Sequence, residues 1–130
     1  MVKVVIAAVS TALLTGAPTA TATARDYAVP CRDSSNDVVF RTKPRNCTLG
    51  GRFGYQQATI TRIRWRSWGG STSYGRGILR DNMGFRARVR FKIYRPDRYE
   101  EQFYIYRRAR GTTYPKGQTP IRWRMRLPLH

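Results

Sequence analysis

The amino-acid sequence predicts an all-β domain, a small antiparallel β-sandwich or a partly closed barrel of about six strands. Several segments alternate apolar and polar residues with a period of two, which is the pattern of a strand with one buried face. No stretch beyond residue 24 carries a convincing helical period, and glycine, proline and asparagine separate the alternating segments. The chain has 130 residues, which is enough for at most one domain.

The first 24 residues are predicted to be a cleaved signal peptide rather than part of this fold. Lys3 precedes an apolar run at residues 4–14, and small residues follow, with A-x-A cleavage sites ending at Ala22 and at the favoured Ala24. The run is shorter than the roughly 18 residues that a membrane-spanning helix needs. We therefore expect an exported chain with a secreted β domain at residues 25–130 and no transmembrane segment after cleavage. It would be extracellular or associated with the cell envelope.

The cysteine content agrees with export. The two cysteines, Cys31 and Cys47, are 16 residues apart, and outside the cytoplasm such a pair is most simply a disulfide. A metal site would need further ligands, and a redox pair would need C-x-x-C spacing. A disulfide closing a loop of this size stabilises a fold by about 3 kcal/mol in the chain-entropy description.

Three segments show the alternation most clearly, at residues 61–67, 85–94 and 121–127. One face of each is apolar, and the other carries basic side chains that we predict to point outward. These residues are Arg62, Arg64 and Arg66, then Arg86, Arg88, Arg90 and Lys92, then Arg122, Arg124 and Arg126. Further strands are predicted at residues 38–42, 73–80 and 99–108.

Turn-forming residues predict antiparallel connections between these strands. Residues 80–84 hold Asp, Asn and Gly, and residues 95–98 hold Pro96 followed by Asp97, which is typical of a tight turn. We interpret Asp81 and Asp97 as turn residues. Residues 109–120 are predicted to form a long loop.

The charge is the most unusual property of the composition. The chain has 25 basic and 7 acidic residues and a net charge of +18, and removal of residues 1–24 would take away only Lys3, leaving +17. In one interpretation the arginines merely make the exposed strand faces polar, with their stems covering apolar surface. If the three segments lie side by side, however, like charges would stand opposite one another, which is destabilising. A sheet either spreads such charges over different faces or concentrates a positive field that attracts polyanions.

Aromatic residues near these basic faces are candidates for stacking. By parity the polar faces carry, or lie near, Tyr94, Tyr104, Tyr106 and Trp68, whereas Trp65 is predicted to lie in the core. Trp68 is open to two interpretations, a stacking platform or a ring packed under a loop. Arginine with interleaved rings suits single-stranded nucleic acid, and it suits a teichoic-type phosphate polymer of the envelope or an anionic lipid surface equally well.

Motifs for catalysis are absent from the sequence. The one histidine, His130, is the last residue, and no glycine-rich phosphate loop is present. Glu100 and Glu101 are adjacent and would point to opposite faces of a strand. No cofactor and no metal ligand set is predicted, and we expect a protein that is not an enzyme. A hydrolase that recruits two distant acids is the third hypothesis.

Four segments together resemble a set of small, exported, uncharacterised β-proteins of actinobacteria. They are KPRNCTL (residues 43–49), ITRIRWRSWGG (60–70), YGRG (74–77) and VRFKIYRP (89–96). The shared pattern is P-x-x-C, then R-W-x-x-W-G, G-x-G and Y-R-P. The resemblance covers roughly residues 31–108 and implies export and a compact β fold, and it implies no activity. Members often have further cysteines in later loops, which this chain lacks after Cys47.

The sequence thus predicts a secreted, disulfide-bonded, non-enzymatic domain. Its arginine-rich sheet face would bind an anionic polymer, either nucleic acid or an envelope phosphate polymer. The alternative is a protein-interaction module, an inhibitor or a toxin-like effector, in which the charge serves solubility and steering.

Overall fold

The computed structural model describes residues 26–53 and 56–128, which form eight β-strands and no α-helix. The all-β fold class is therefore confirmed. The strands are β1 (Tyr27–Arg32), β2 (Val38–Arg41), β3 (Cys47–Phe53), β4 (Gln56–Ser67), β5 (Thr72–Arg80), β6 (Arg86–Tyr99), β7 (Phe103–Tyr114) and β8 (Ile121–Arg126).

The strands form one sheet in the order β2-β1-β3-β4-β5-β6-β7-β8, and each pair of neighbours is antiparallel. A further pairing joins β1 to β7 in parallel, with Tyr27 opposite Tyr104 and Ala28 opposite Ile105. That pairing closes β1, β3, β4, β5, β6 and β7 into a six-stranded barrel, and β2 and β8 extend from it as two extra strands. The barrel is closed by β1, a strand that the sequence pattern does not predict.

Two connections differ from the sequence-based prediction. The tight turn predicted at residues 95–98 is wrong, because β6 continues through Pro96 and Asp97 to Tyr99. The chain reverses instead at residues 99–102, where the N–H of Gln102 donates to the carbonyl of Tyr99. Glu100 and Glu101 have φ of 49° and 58° there, the left-handed pair of a type I′ turn. Glutamate gives no signal for such a turn, so the sequence did not reveal it.

The long loop predicted at residues 109–120 is also wrong in its first half. β7 runs to Tyr114, and only residues 115–120 connect it to β8. A methyl group at Gly111 would lie 2.5 Å from the carbonyl oxygen of Arg90 and 2.7 Å from the ring of Trp123. Gly111 therefore allows the ring of Trp123 to approach the sheet closely, which explains a glycine in mid-strand.

The core combines the inward side chains of the barrel strands with Met125 of β8 and with Leu127, which follows it. Cys31 and Cys47 are buried within it, and their sulfurs lie 2.12 Å apart, so the predicted disulfide is confirmed and joins β1 to β3. The buried cluster comprises Val29, Cys31, Cys47, Leu49, Ala58, Ile60, Ile63, Leu79, Val89, Phe91, Ile93, Tyr106, Ala109, Met125 and Leu127.

The segment after β4 is tied to the core by a buried polar network. The hydroxyl of Tyr106 donates to the carbonyl of Gly70 at 2.9 Å and lies 2.8 Å from the hydroxyl oxygen of Ser73. That oxygen accepts from the N–H of Gly69 at 2.8 Å. Tyr106 and Ser73 are both fully buried, so the prediction that Tyr106 lies on or near a polar face is wrong. Burial raises the pKa of the Tyr106 phenol above its ordinary 10.0.

The predicted signal peptide at residues 1–24 and the terminal His130 lie outside the described residues. Among the residues that are described, no helix is long and apolar enough to cross a membrane.

Candidate functional site

A continuous band of basic side chains covers the outside of the five adjacent strands β4 to β8. Its members lie at strand positions whose side chains point outward, or at bulges of the sheet, and nearly all are exposed. We call this surface the basic face, and it consists of Arg62, Arg64, Arg66, Arg76, Arg80, Arg86, Arg88, Arg90, Lys92, Arg108, Arg110, Arg122, Arg124 and Arg126. All ten basic residues predicted from the sequence belong to this surface.

The three predicted arginine segments are not direct neighbours in the sheet. β5 lies between β4 and β6, and β7 lies between β6 and β8. These two intervening strands contribute basic residues that the sequence analysis did not select, namely Arg76, Arg80, Arg108 and Arg110. The basic face is therefore continuous across the strands rather than divided into three stripes.

Like charges stand directly opposite one another at six positions of this face. Cross-strand neighbours on one side of a sheet lie within about 4.5–5.5 Å at Cβ, where like charges repel. The six pairs are Arg64–Arg76, Arg76–Arg90, Arg80–Arg86, Lys92–Arg110, Arg110–Arg124 and Arg108–Arg126.

Acidic side chains do not neutralise this repulsion. Asp97 is the one acid within β4 to β8, and its carboxylate lies 2.6 Å from Arg107, outside the basic face. The carboxylate of Asp81 accepts from the N–H groups of Met83 and Phe85 in the β5–β6 turn, as predicted for a turn residue. Between described residues, no ion pair joins the basic face to an acid.

Three shallow grooves follow the basic face and meet at Arg90. The Ile78 groove, of about 640 Å³, crosses β4, β5 and β6 and reaches β7 at Tyr114. The Tyr74 groove, of about 520 Å³, lies beside it, and the Trp123 groove, of about 900 Å³, extends over β7 and β8. Because Arg90 lines all three, the grooves form one path across the face.

Tyrosine rings are interleaved with the cations on this face. The Tyr94 ring has Lys92 at 5.3 Å and Arg110 at 5.9 Å from its centroid. The Tyr74 ring has Arg66 at 4.9 Å. Each contact of this kind contributes about 0.5–1 kcal/mol at an exposed site, which offsets part of the repulsion. Tyr94 thus lies on the face as predicted, with cations on its ring.

Trp68 packs inward and is not an exposed stacking platform. β4 carries bulges at its pairings after Thr61 and after Trp65, and the second bulge reverses the parity of the residues that follow. The Trp68 ring therefore packs against the core, 4.6 Å from the ring of Trp65 and 5.8 Å from that of Tyr106. We leave Trp68 out of the candidate binding surface. Trp65 also packs against the core, and its indole N–H donates to the carbonyl of Pro44.

The sequence carries a weak signal for the four basic residues on β5 and β7 that the sequence analysis did not select. In β5 the outward residues Tyr74, Arg76, Ile78 and Arg80 alternate with Ser73, Gly75, Gly77 and Leu79. Because Gly75 and Gly77 have no apolar side chain, the alternation of apolar and polar residues in β5 is difficult to recognise. In β7, Gly111 and the threonines made residues 109–114 resemble a loop.

The described residues hold no group of three or more histidine, cysteine or acidic side chains that would bind a metal ion. The comparisons with protein-family models, curated proteins and solved structures found no match. The suspected likeness to small exported actinobacterial proteins therefore stays a prediction.

Proposed function

We propose that this chain is an exported, non-enzymatic binding domain whose basic face holds an anionic polymer. The observation that carries the proposal is the set of six like-charge pairs on adjacent strands. A surface that only needs to be polar can alternate charges or use neutral side chains. Repulsion at six positions costs stability, and a bound polyanion would remove that cost.

The chemistry of the face favours phosphate as the anionic group. Nearly all of its members are arginines, whose guanidinium groups bind phosphate oxygens in pairs and remain charged at every physiological pH. The grooves meeting at Arg90 provide a path long enough to follow several charges of one polymer. Strong positive fields of this kind also raise the rate at which polyanions are captured.

A catalytic role has less support than binding. The carboxylates of Asp33 and Asp81 accept backbone N–H groups in turns, and the carboxylate of Asp97 contacts Arg107. These acids thus have structural partners, and none of them lines the three grooves of the basic face.

The proposal is tested by binding at two salt concentrations. The purified protein, with its disulfide intact, is titrated into labelled single-stranded DNA and into a teichoic-type glycerol phosphate polymer at about 50 and 200 mM salt. If about six phosphates of the DNA are neutralised, the logarithm of the association constant falls with log salt at a slope of about −4.

Two charge-matched double variants locate the site. Arg76→Gln/Arg90→Gln removes two charges from the centre of the basic face, and we expect each substitution to reduce the magnitude of the salt slope for single-stranded DNA by about 0.7. Arg41→Gln/Arg45→Gln removes two exposed charges elsewhere and should change binding far less. Equal losses in both variants would mean that the charge acts only in bulk. If neither polymer binds, the proposal fails, and an acidic protein partner held at moderate salt becomes the function to test.

A further inference from the structure

One row of the basic face differs from the others because it combines an apolar side chain, a cation and an aromatic ring. Ile78 on β5 lies opposite Arg88 on β6, and Arg88 lies opposite Tyr114 on β7. The outward positions before and after Ile78 on its strand are Arg76 and Arg80. An apolar residue therefore stands among arginines, where a surface built for charge alone would have another cation.

This row lies in the Ile78 groove, which is lined by five arginines, whereas each of the other two grooves is lined by four. Ile78 is half-buried and outward-facing, so the groove has an apolar part. Its volume of about 640 Å³ falls within the range of small-molecule sites. The exposed arginines that line it are Arg62, Arg64, Arg76, Arg88 and Arg90.

Tyr114 differs from the other tyrosines of this face in what covers its ring. Tyr74 and Tyr94 have cations over their rings at 4.9–5.9 Å. Within residues 26–53 and 56–128, no cation and no other ring lies over Tyr114 at such a distance. Tyr114 is half-buried and also lines a second groove, together with Ile78 and Arg86. Its ring is thus available for a planar ligand.

We propose, on the basis of the polyanion-binding function above, that the polymer is a single-stranded nucleic acid. An unpaired base would stack on Tyr114 and contact Ile78, and the adjoining phosphates would bind Arg88 and Arg90. A glycerol phosphate polymer has no planar apolar group and would leave both Ile78 and Tyr114 without a role. A duplex keeps its base faces stacked inside, whereas a single strand exposes them to aromatic rings.

The test separates recognition of bases from recognition of phosphate. A labelled oligothymidylate of about 12 nucleotides is compared with an abasic oligonucleotide that has the same number of phosphates, by fluorescence anisotropy at about 100 mM salt. We expect the oligothymidylate to bind at least about 5-fold more tightly, the lower end of the effect of stacking one base. Tyr114→Ser and Ile78→Ser should each reduce that difference and leave the affinity for the abasic strand unchanged.

Tyr94→Ser is the matched control, because Tyr94 is on the same face with its ring already covered by Lys92 and Arg110. It should retain the preference for the oligothymidylate, and thermal unfolding of all three variants checks that they fold. Equal affinity of the wild-type protein for both strands would overturn this inference and leave the polyanion proposal standing. Equal loss in the Tyr94 and Tyr114 variants would overturn it as well. Absence of binding to either strand would overturn this inference, and the polyanion proposal would then be decided by the titration with the glycerol phosphate polymer.

Discussion

Arg76 of β5 lies directly opposite Arg90 of β6, and on its other side it lies opposite Arg64 of β4. Three guanidinium groups thus follow one another across the sheet. Replacing Arg90 by glutamine removes one repulsive pair, so we expect the free energy of unfolding to rise by about 0.2–1 kcal/mol at low salt. The gain should shrink as added salt screens the charges.

The same Arg90→Gln variant should bind polyanions more weakly while being more stable. These opposite changes in affinity and stability distinguish arginines that serve binding from arginines that only make the surface polar. Urea unfolding at about 20 and 300 mM salt measures the stability, and titration with labelled single-stranded DNA measures the affinity. Arg41→Gln is the control and should alter neither quantity much, because Arg41 is exposed on β2, away from the basic face. A loss of stability in Arg90→Gln at low salt would contradict the expected repulsion.

The disulfide between Cys31 and Cys47 joins β3 to β1, the strand that closes the barrel. Because it closes a loop of 16 residues, replacing both cysteines by alanine should lower the free energy of unfolding by about 3 kcal/mol. Urea unfolding of the double variant and of the oxidised wild-type protein gives the difference. A reducing agent should shift the wild-type midpoint and leave the double variant unaffected. If both proteins unfold at the same urea concentration, the disulfide has no role in stability.

The hydroxyl of Tyr106 connects Ser73 and the carbonyl of Gly70 in the buried network. In Tyr106→Phe both groups lose a partner, so we expect the free energy of unfolding to fall by about 1–3 kcal/mol near pH 7. Tyr74→Phe is the control and should change stability little, because Tyr74 is exposed.

The effect of Tyr106 should also depend on pH, because burial raises the pKa of its phenol above 10.0 in the folded protein. The unfolded chain therefore loses this proton first as the pH rises. The contribution of Tyr106 is fully present below pH 10 and is lost as the pH rises through the folded pKa. Unfolding curves at pH 8 to 11 should show the wild-type protein and Tyr106→Phe converging. A constant difference over that range would contradict the burial effect.

The ring of Trp123 lies against the backbone of β7 at Gly111. In Gly111→Ala the new methyl group would meet this ring and the carbonyl oxygen of Arg90, so one of them must move. We expect a loss of about 1–3 kcal/mol in the free energy of unfolding. Thr112→Ala, one residue along and on the outward face, should cost far less. Urea unfolding compares the two variants, and equal stability of Gly111→Ala and the wild-type protein would show that β8 adjusts freely.

The sequence by itself determined the fold class, the disulfide and the outward orientation of the arginines. Alternation with period two depends only on neighbouring residues. The basic residues from Arg86 to Lys92, at every second position, could therefore be placed on one face of a strand without knowledge of any partner strand. The disulfide followed from two cysteines in a chain predicted to be exported. These features require no information about which strands lie side by side.

Only the tertiary structure decided which charges stand opposite one another. Pairing of β4 with β5 and of β5 with β6 brings Arg64, Arg76 and Arg90 into one row, and the parallel pairing of β1 with β7 closes the barrel. Strand pairing joins residues that are distant along the chain, and its register depends on bulges and turns. Glu100 and Glu101 form such a turn without glycine or asparagine, and the bulges of β4 direct Trp68 into the core. The arrangement of Ile78, Arg88 and Tyr114 likewise exists only once three strands are paired, because these residues carry no common motif.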